Sequence, residues 1–318
     1  MTKNISPARM RLPRLKNFVK RIPLIGHLAK LAWRWVHSPR LRRRGATPRP
    51  LETKVDALAE SATSCYLGNG VVLTRVQGFK MFLPGDDISI TPHLLLESSH
   101  EPWVTTLFLR LLRPGMTVVD VGANVGYYTL LAARGVGPTG KVYAFEPEPR
   151  TFDLLKKNVR VNGLSWVTVS NKALWKSSGK ARLFTTHHMG VCGGHSMIGA
   201  PSECDVRPVV TVDTITLDEF LEDERKVDLI KIDAEGAEPL IMEGMERIVA
   251  ASSNLKALVE LSPNFVRAAG LDPVEYVHSL RQRGFLVRII KHDGALEELS
   301  DDSLGPDADW MEMVLLEK

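Results

Sequence analysis

The stretch VVDVGANVGYYTLLAA, residues 118–133, places a carboxylate, Asp120, at the end of an apolar run, with Gly122 and Gly126 directly behind it. Glycines there let the backbone turn and approach a ligand without side-chain obstruction. A second carboxylate, Glu146, ends the next apolar run, KVYAFEP, where it can accept hydrogen bonds from both hydroxyls of a ribose. A pyrophosphate site uses G-x-G-x-x-G, whereas the spacing here is G-x-x-x-G with an acid in front that would repel a pyrophosphate. Asp120 suits the ammonium of a methionine moiety, so the pattern points to S-adenosylmethionine rather than NAD.

A second constellation is LIKIDAEGAE, residues 229–238. In a strand the period of two puts Lys231 and Asp233 on one face. A lysine in so apolar a run is costly to bury unpaired, so an ion pair with Asp233 is the plain structural solution. The functional solution sets the same pair beside an acceptor, with Asp233 orienting or deprotonating a hydroxyl and Lys231 stabilising oxyanion charge. Glu235 and Glu238 compete for the base role, or else mark a turn around Gly236 and the charged first turn of a helix.

These groups need a scaffold that collects strand ends. From residue 116 onward apolar runs alternate with helical patterns: TVVDVG, YYTLLAARG, KVYAFEP, PRTFDLLKKNVRVNG and VTVSNKAL, then DLIKIDAEG, EPLIMEGMERIVA, LKALVELSP, a helix near residues 273–283, FLVRII and WMEMVLLEK. Such alternation implies an α/β, Rossmann-like, doubly wound and mainly parallel sheet with right-handed crossovers. Ligands bind at its carboxyl strand ends. Upstream, VVLTRVQGFKMFLP reads as a hairpin about Gln77-Gly78 and PWVTTLFLRLL as a helix, a region able to cap the site. The expected organisation is a basic segment 1–50, a cap region 51–112 and a catalytic domain 113–318.

The blocks VVDVGANVGYYTLLAA, VYAFEPEPRTFDLLKKNVRVNG, NKALW and TLDEF followed by DLIKIDAEGAEPLIMEGM resemble the FkbM family of S-adenosylmethionine-dependent methyltransferases, over roughly residues 113–260. The resemblance implies a class I methyltransferase fold with a seven-stranded sheet and an antiparallel last strand, for which WMEMVLLEK is placed. It implies O-methylation of a hydroxyl on a small molecule, sugar, glycolipid or polyketide. By the same resemblance Asp120, Gly122, Ala123, Asn124 and Gly126 form the methionine-side loop, and Glu146 with Pro147 the ribose block. Asn171 and Ala173 fall in the block expected near adenine, although an asparagine after a strand also commonly satisfies a turn. Class I strand order makes Glu260 a neighbour of Asp233, and two carboxylates so placed can raise one pKa toward neutrality.

The chain has 318 residues, 44% hydrophobic and 25% charged, enough for a substantial core. Its three cysteines, Cys65, Cys192 and Cys204, suggest neither a disulfide framework nor a zinc site, which fits a reducing cytosol. The net charge of +4 is uneven: residues 1–50 carry 14 basic and no acidic side chains, and the remainder 27 basic against 37 acidic. An acidic body argues against a general nucleic-acid surface. Leu15, Phe18, Val19, Ile22, Ile25, Leu28, Leu31 and Trp35 recur at helical spacing among lysines and arginines, so residues 14–44 could rest on anionic lipid at the inner membrane surface, or pack on protein. An RNA methyltransferase gripping through this arm, and a non-catalytic nucleoside- or membrane-binding module, are the competing readings. His187, His188, Cys192 and His195 form a glycine-rich insertion whose spacing matches no standard zinc pattern; it reads as an acceptor-side loop with one histidine as alternative base. No metal is expected.

Overall fold

A computed structural model describes residues 64–186 and 206–318, within the unit Ala62–Lys318. The basic segment 1–50 and the His/Cys insertion therefore lie outside the described residues. The described chain begins with β1 (Cys65–Gly68), β2 (Val71–Val76) and β3 (Phe79–Pro84), followed by α1 (Ile90–Glu97) and α2 (Pro102–Leu111). Then come β4 (Thr117–Val121), α3 (Tyr127–Val136), β5 (Lys141–Phe145), α4 (Pro149–Val161), β6 (Val167–Ser170), β7 (Ala173–Leu174), β8 (Gly179–Thr186) and β9 (Val206–Ile215). The chain continues through α5 (Leu217–Phe220), β10 (Leu229–Ile232), α6 (Glu238–Glu243), α7 (Glu246–Ala251), β11 (Lys256–Leu261), α8 (Pro263–Ala268), α9 (Pro273–Gln282), β12 (Leu286–Ile290), β13 (Leu296–Glu298) and β14 (Glu312–Glu317).

The central sheet runs β13-β12-β14-β11-β10-β4-β5-β6. Strands β6, β5, β4, β10 and β11 pair in parallel, and β14 inserts antiparallel between β11 and β12. That is the expected α/β order with its antiparallel last strand. The count differs: β13 folds back on β12 as an edge hairpin, giving eight strands in place of seven. Alternate residues of each strand enter two cores. Val119, Val121, Ile230 and Ile232 pack with side chains of α5 to α9; Val118, Leu229 and Leu258 pack with those of α1 to α4. Burial on both faces is what makes these strands read as nearly continuous apolar runs.

Three local readings change. The upstream hairpin turns at Gln77 (φ 51°) and Gly78 (φ 87°) as expected, but it belongs to a three-stranded sheet with β1. Its strand β3 is fastened to α4 by Asn158, which accepts from Phe82 N at 2.6 Å and donates to Phe82 O at 3.0 Å. VTVSNKAL is two strands, because β7 leaves the main sheet to pair with β9. EPLIMEGMERIVA is two short helices: a Cβ on Gly244 would lie 2.1 Å from the Trp175 carbonyl oxygen, so the helix breaks where that backbone crosses it.

Candidate active site

The carboxyl ends of β4, β5, β10 and β11 and the α1–α2 turn enclose a cavity of about 360 Å³. Asp120 and Lys231 sit opposite each other in the β4–β10 register, and Ile232 pairs with Val259, so Asp233 and Glu260 follow side by side. All four point to the face shared with α3, and all four line the cavity.

On the β4 side, Asp120 is 1% exposed and its Oδ2 accepts from Thr129 Oγ1 at 2.5 Å. Among the described residues its buried Oδ1 has no hydrogen-bond partner. Burial pushes this carboxyl up, against the opposing pull of Lys231. The following loop is left-handed at Gly122 (φ 71°), Asn124 (φ 50°) and Gly126 (φ 94°). Gly122 is required sterically, because a Cβ there would stand 1.8 Å from the Asp233 carbonyl oxygen. Glu146, 5% exposed, accepts from Asn124 N and Glu148 N, both at 2.9 Å. Burial pushes its pKa up to about 8, and those two backbone donors only partly oppose the shift. Glu146 and the loop after β4 are thus tied together through the hydrogen bond from Asn124 N.

Pro147 and Ala173 line the cavity, as does Lys172. The amide nitrogen of Asn171 donates to Glu146 O at 2.9 Å and Pro147 O at 3.0 Å, so this side chain serves the turn. Its neighbours Lys172 and Ala173 line the cavity, whereas Asn171 is not among the lining residues.

On the β10 side, Lys231 is 2% exposed, 2.8 Å from Asp233 Oδ2, and its ammonium lies 4.5 Å from the centre of the Tyr128 ring. Burial alone would depress the ammonium, but Asp233, Asp120 and Glu101 outweigh it and raise its pKa. Burial likewise pushes the Asp233 carboxyl up, and Lys231 reverses the shift, leaving it below the usual range. The ion pair is therefore real and also faces the cavity. Burial pushes Glu235 and Glu260 well above the ordinary range, with the charge of Asp233 adding to it. Glu260 Oε2 is buried without a hydrogen-bond partner among the described residues. Glu238 accepts from Ala234 N at 2.7 Å and caps the turn into α6, with burial raising its pKa to about 7. Glu238 is not among the residues lining the cavity.

Two residues escaped sequence reasoning. His100 and Glu101, between α1 and α2, line the same cavity, and Glu101 is held left-handed (φ 44°). Tyr128 Oη donates to Glu101 Oε2 at 3.2 Å, and Thr105 Oγ1 donates to His100 O at 2.6 Å. No motif marks them; a histidine and a glutamate just ahead of the proline that opens α2 were the available signal. Among the described residues no group of His, Cys, Asp and Glu could hold a metal ion.

Fold and site together describe a class I methyltransferase. The Methyltransferase FkbM domain matches residues 120–287, and the chain belongs to that family, with S-adenosylmethionine as cofactor. It is similar to Methyltransferase 1 of Beauveria bassiana, 26% identical over 202 residues, covering 57% of this chain and 77% of the relative. It is also similar to Hexuronic acid methyltransferase AglP of Haloferax volcanii, 30% identical over 175 residues, covering 54% of this chain and 64% of that one. Among solved structures, TYW2 of M. jannaschii in complex with AdoMet aligns with TM-score 0.43 at 14% identity, over 80% of this chain and 88% of the other. A SAM-dependent O-methyltransferase of Thermotoga maritima aligns with TM-score 0.40 at 14% identity, over 81% and 86%.

The residues fit the cofactor. Asp120, whose buried Oδ1 has no partner among the described residues, lines the cavity and can accept from a methionine ammonium, and Glu146 keeps lone pairs for ribose hydroxyls.

Proposed function

We propose that this protein transfers the methyl group of S-adenosylmethionine to a hydroxyl oxygen of a small-molecule, sugar or lipid-linked acceptor. The observation carrying this reading is the buried Lys231–Asp233 pair opening into the same cavity as Asp120 and Glu146. When bound, the cofactor supplies an already activated methyl group, so the protein's work is positioning and proton management. Asp120, Gly122, Ala123, Asn124 and Gly126 hold the methionine side; Glu146 and Pro147 hold the ribose, and Ala173 lies toward the base. Asp233 accepts a hydrogen bond from the acceptor hydroxyl and orients it, while Lys231 stabilises negative charge on its oxygen. Glu235 and Glu260, which burial pushes well above the ordinary range, can donate hydrogen bonds to a polyhydroxylated acceptor when protonated. A sugar acceptor accords with the hexuronic acid named for the Haloferax relative.

The reading extends to a lipid-linked acceptor on the strength of the basic amphipathic pattern in residues 14–44. No helix among the described residues is long and apolar enough to cross a membrane.

Calorimetry with S-adenosylmethionine tests the core claim without choosing an acceptor. Wild type should bind and Glu146→Ala should lose at least about tenfold in affinity, since removing a buried charged hydrogen-bond acceptor costs roughly 1.5–3 kcal/mol. Equal binding by both would reject the assigned cofactor site. Labelled methyl transfer to hydroxylated sugars and lipids then reads the oxygen specificity.

A further inference from the structure

The cavity holds four carboxylates and one ammonium near the acceptor side, and the imidazole of His100 lines it beside them. Asp233 is committed to Lys231 at 2.8 Å and held below the usual carboxylate range. Burial raises Glu235, Glu260 and Glu101 above the ordinary carboxylate range. An aliphatic hydroxyl loses its proton only if some group accepts it during methyl transfer.

We infer that His100, in the turn between α1 and α2, is the base that takes the acceptor's hydroxyl proton. This rests on the methyl-transfer reading above and names a residue outside the family-matched region 120–287. Among the described histidines only His100 lines the cavity, and its ring nitrogens have no hydrogen-bond partner among the described residues. The ring packs edge-on to Tyr127, with centroids 6.5 Å apart, and Asp87, His93, Glu101, Lys231 and Asp233 are the charged or titratable groups around it.

The turn that carries His100 is over-determined. Thr105 fastens both residues, donating its hydroxyl to His100 O and its N–H to Glu101 O at 2.9 Å. Tyr128 holds the Glu101 side chain. A glutamate kept at φ 44° by so many contacts is the kind of local strain that fixed functional groups carry. Burial pushes the imidazole down to about 4, so it is neutral at neutral pH and open to a proton. In the step, the acceptor O–H bond breaks and its proton passes to the imidazole, the oxygen's electron pair forms the bond to the methyl carbon, and the methyl–sulfur bond of the donor would break with its electron pair left on sulfur as a neutral thioether. The imidazolium formed faces Asp233, whose charge favours it.

Two measurements test this. The His100 ring resonance, assigned by its loss in His100→Gln, should titrate near 4 and shift when S-adenosylmethionine is added at pH 7. A ring indifferent to the cofactor overturns the assignment, because a base at the transfer site must sense the donor. In parallel, methyl transfer to methyl hexopyranosides should fall on the order of 10²-fold or more in His100→Ala with cofactor affinity within about twofold, and added imidazole should restore part of it. Turnover within about threefold of wild type overturns it too. If wild type binds the cofactor and methylates no hexopyranoside, the resonance measurement decides. Failure of wild type to bind S-adenosylmethionine is a different outcome, which removes the methyl-transfer reading itself.

Discussion

Glu146 shows how one residue couples protons to ligand. Its pKa in the free protein is about 8 against an ordinary 4.5, so across that interval the folded chain holds a proton that the unfolded chain has released. Its contribution to stability is complete below about pH 4.5 and is lost as pH rises through 8; Glu238, at about 7, adds in the same direction. Ribose hydroxyls need the ionised carboxylate as acceptor, so cofactor binding has the opposite sign. Thermal melts should show the free protein losing Tm between pH 6 and 8 while the gain from added S-adenosylmethionine grows. Calorimetry should give affinity rising toward tenfold per pH unit with release of up to one proton. A pH-independent affinity would mean that Glu146 is already ionised in the free protein. Asp120, Glu146, Lys231 and Asp233 were legible because each ends or lines an apolar strand, where a charge is expensive and needs a reason. His100 and Glu101 were illegible because a turn residue enters a site through tertiary packing, which leaves no period in the chain.

At the scale of elements, alternating periods exposed the parallel strands and their helices, since both faces of the sheet are buried and each run is a simple apolar block. The splits were not exposed. EPLIMEGMERIVA reads as one helical pattern, but the place of Gly244 against the Trp175 carbonyl is a contact between segments about seventy residues apart. Gly244→Ala should destabilise the fold by about 1–3 kcal/mol, the usual cost of overpacking, seen as a lower denaturation midpoint with unchanged slope. Alanine at an exposed helical glycine would stabilise instead, so the sign of the change separates the two environments. Strand β13 escaped for a related reason: three residues of hairpin at a sheet edge carry too little apolar pattern to stand out.

At the scale of the whole molecule, charge separates the chain into a basic beginning and an acidic body. If residues 14–44 rest on anionic lipid, the full chain should float with phosphatidylserine vesicles at low salt, and a chain lacking residues 1–50 should not. Equal flotation would assign the segment to protein packing. The body presents a different kind of unity. At Gly122 the backbone of the cofactor loop lies directly against the Asp233 carbonyl, with no room for even a methyl group between them. On the proposed reading the donor lies on the Gly122 loop and the acceptor beside Asp233, so the two seats share that wall and a seated donor completes the acceptor's seat. Turnover should therefore follow a compulsory order, donor first, with initial-rate lines that intersect and an acceptor whose binding is weak until the donor is seated.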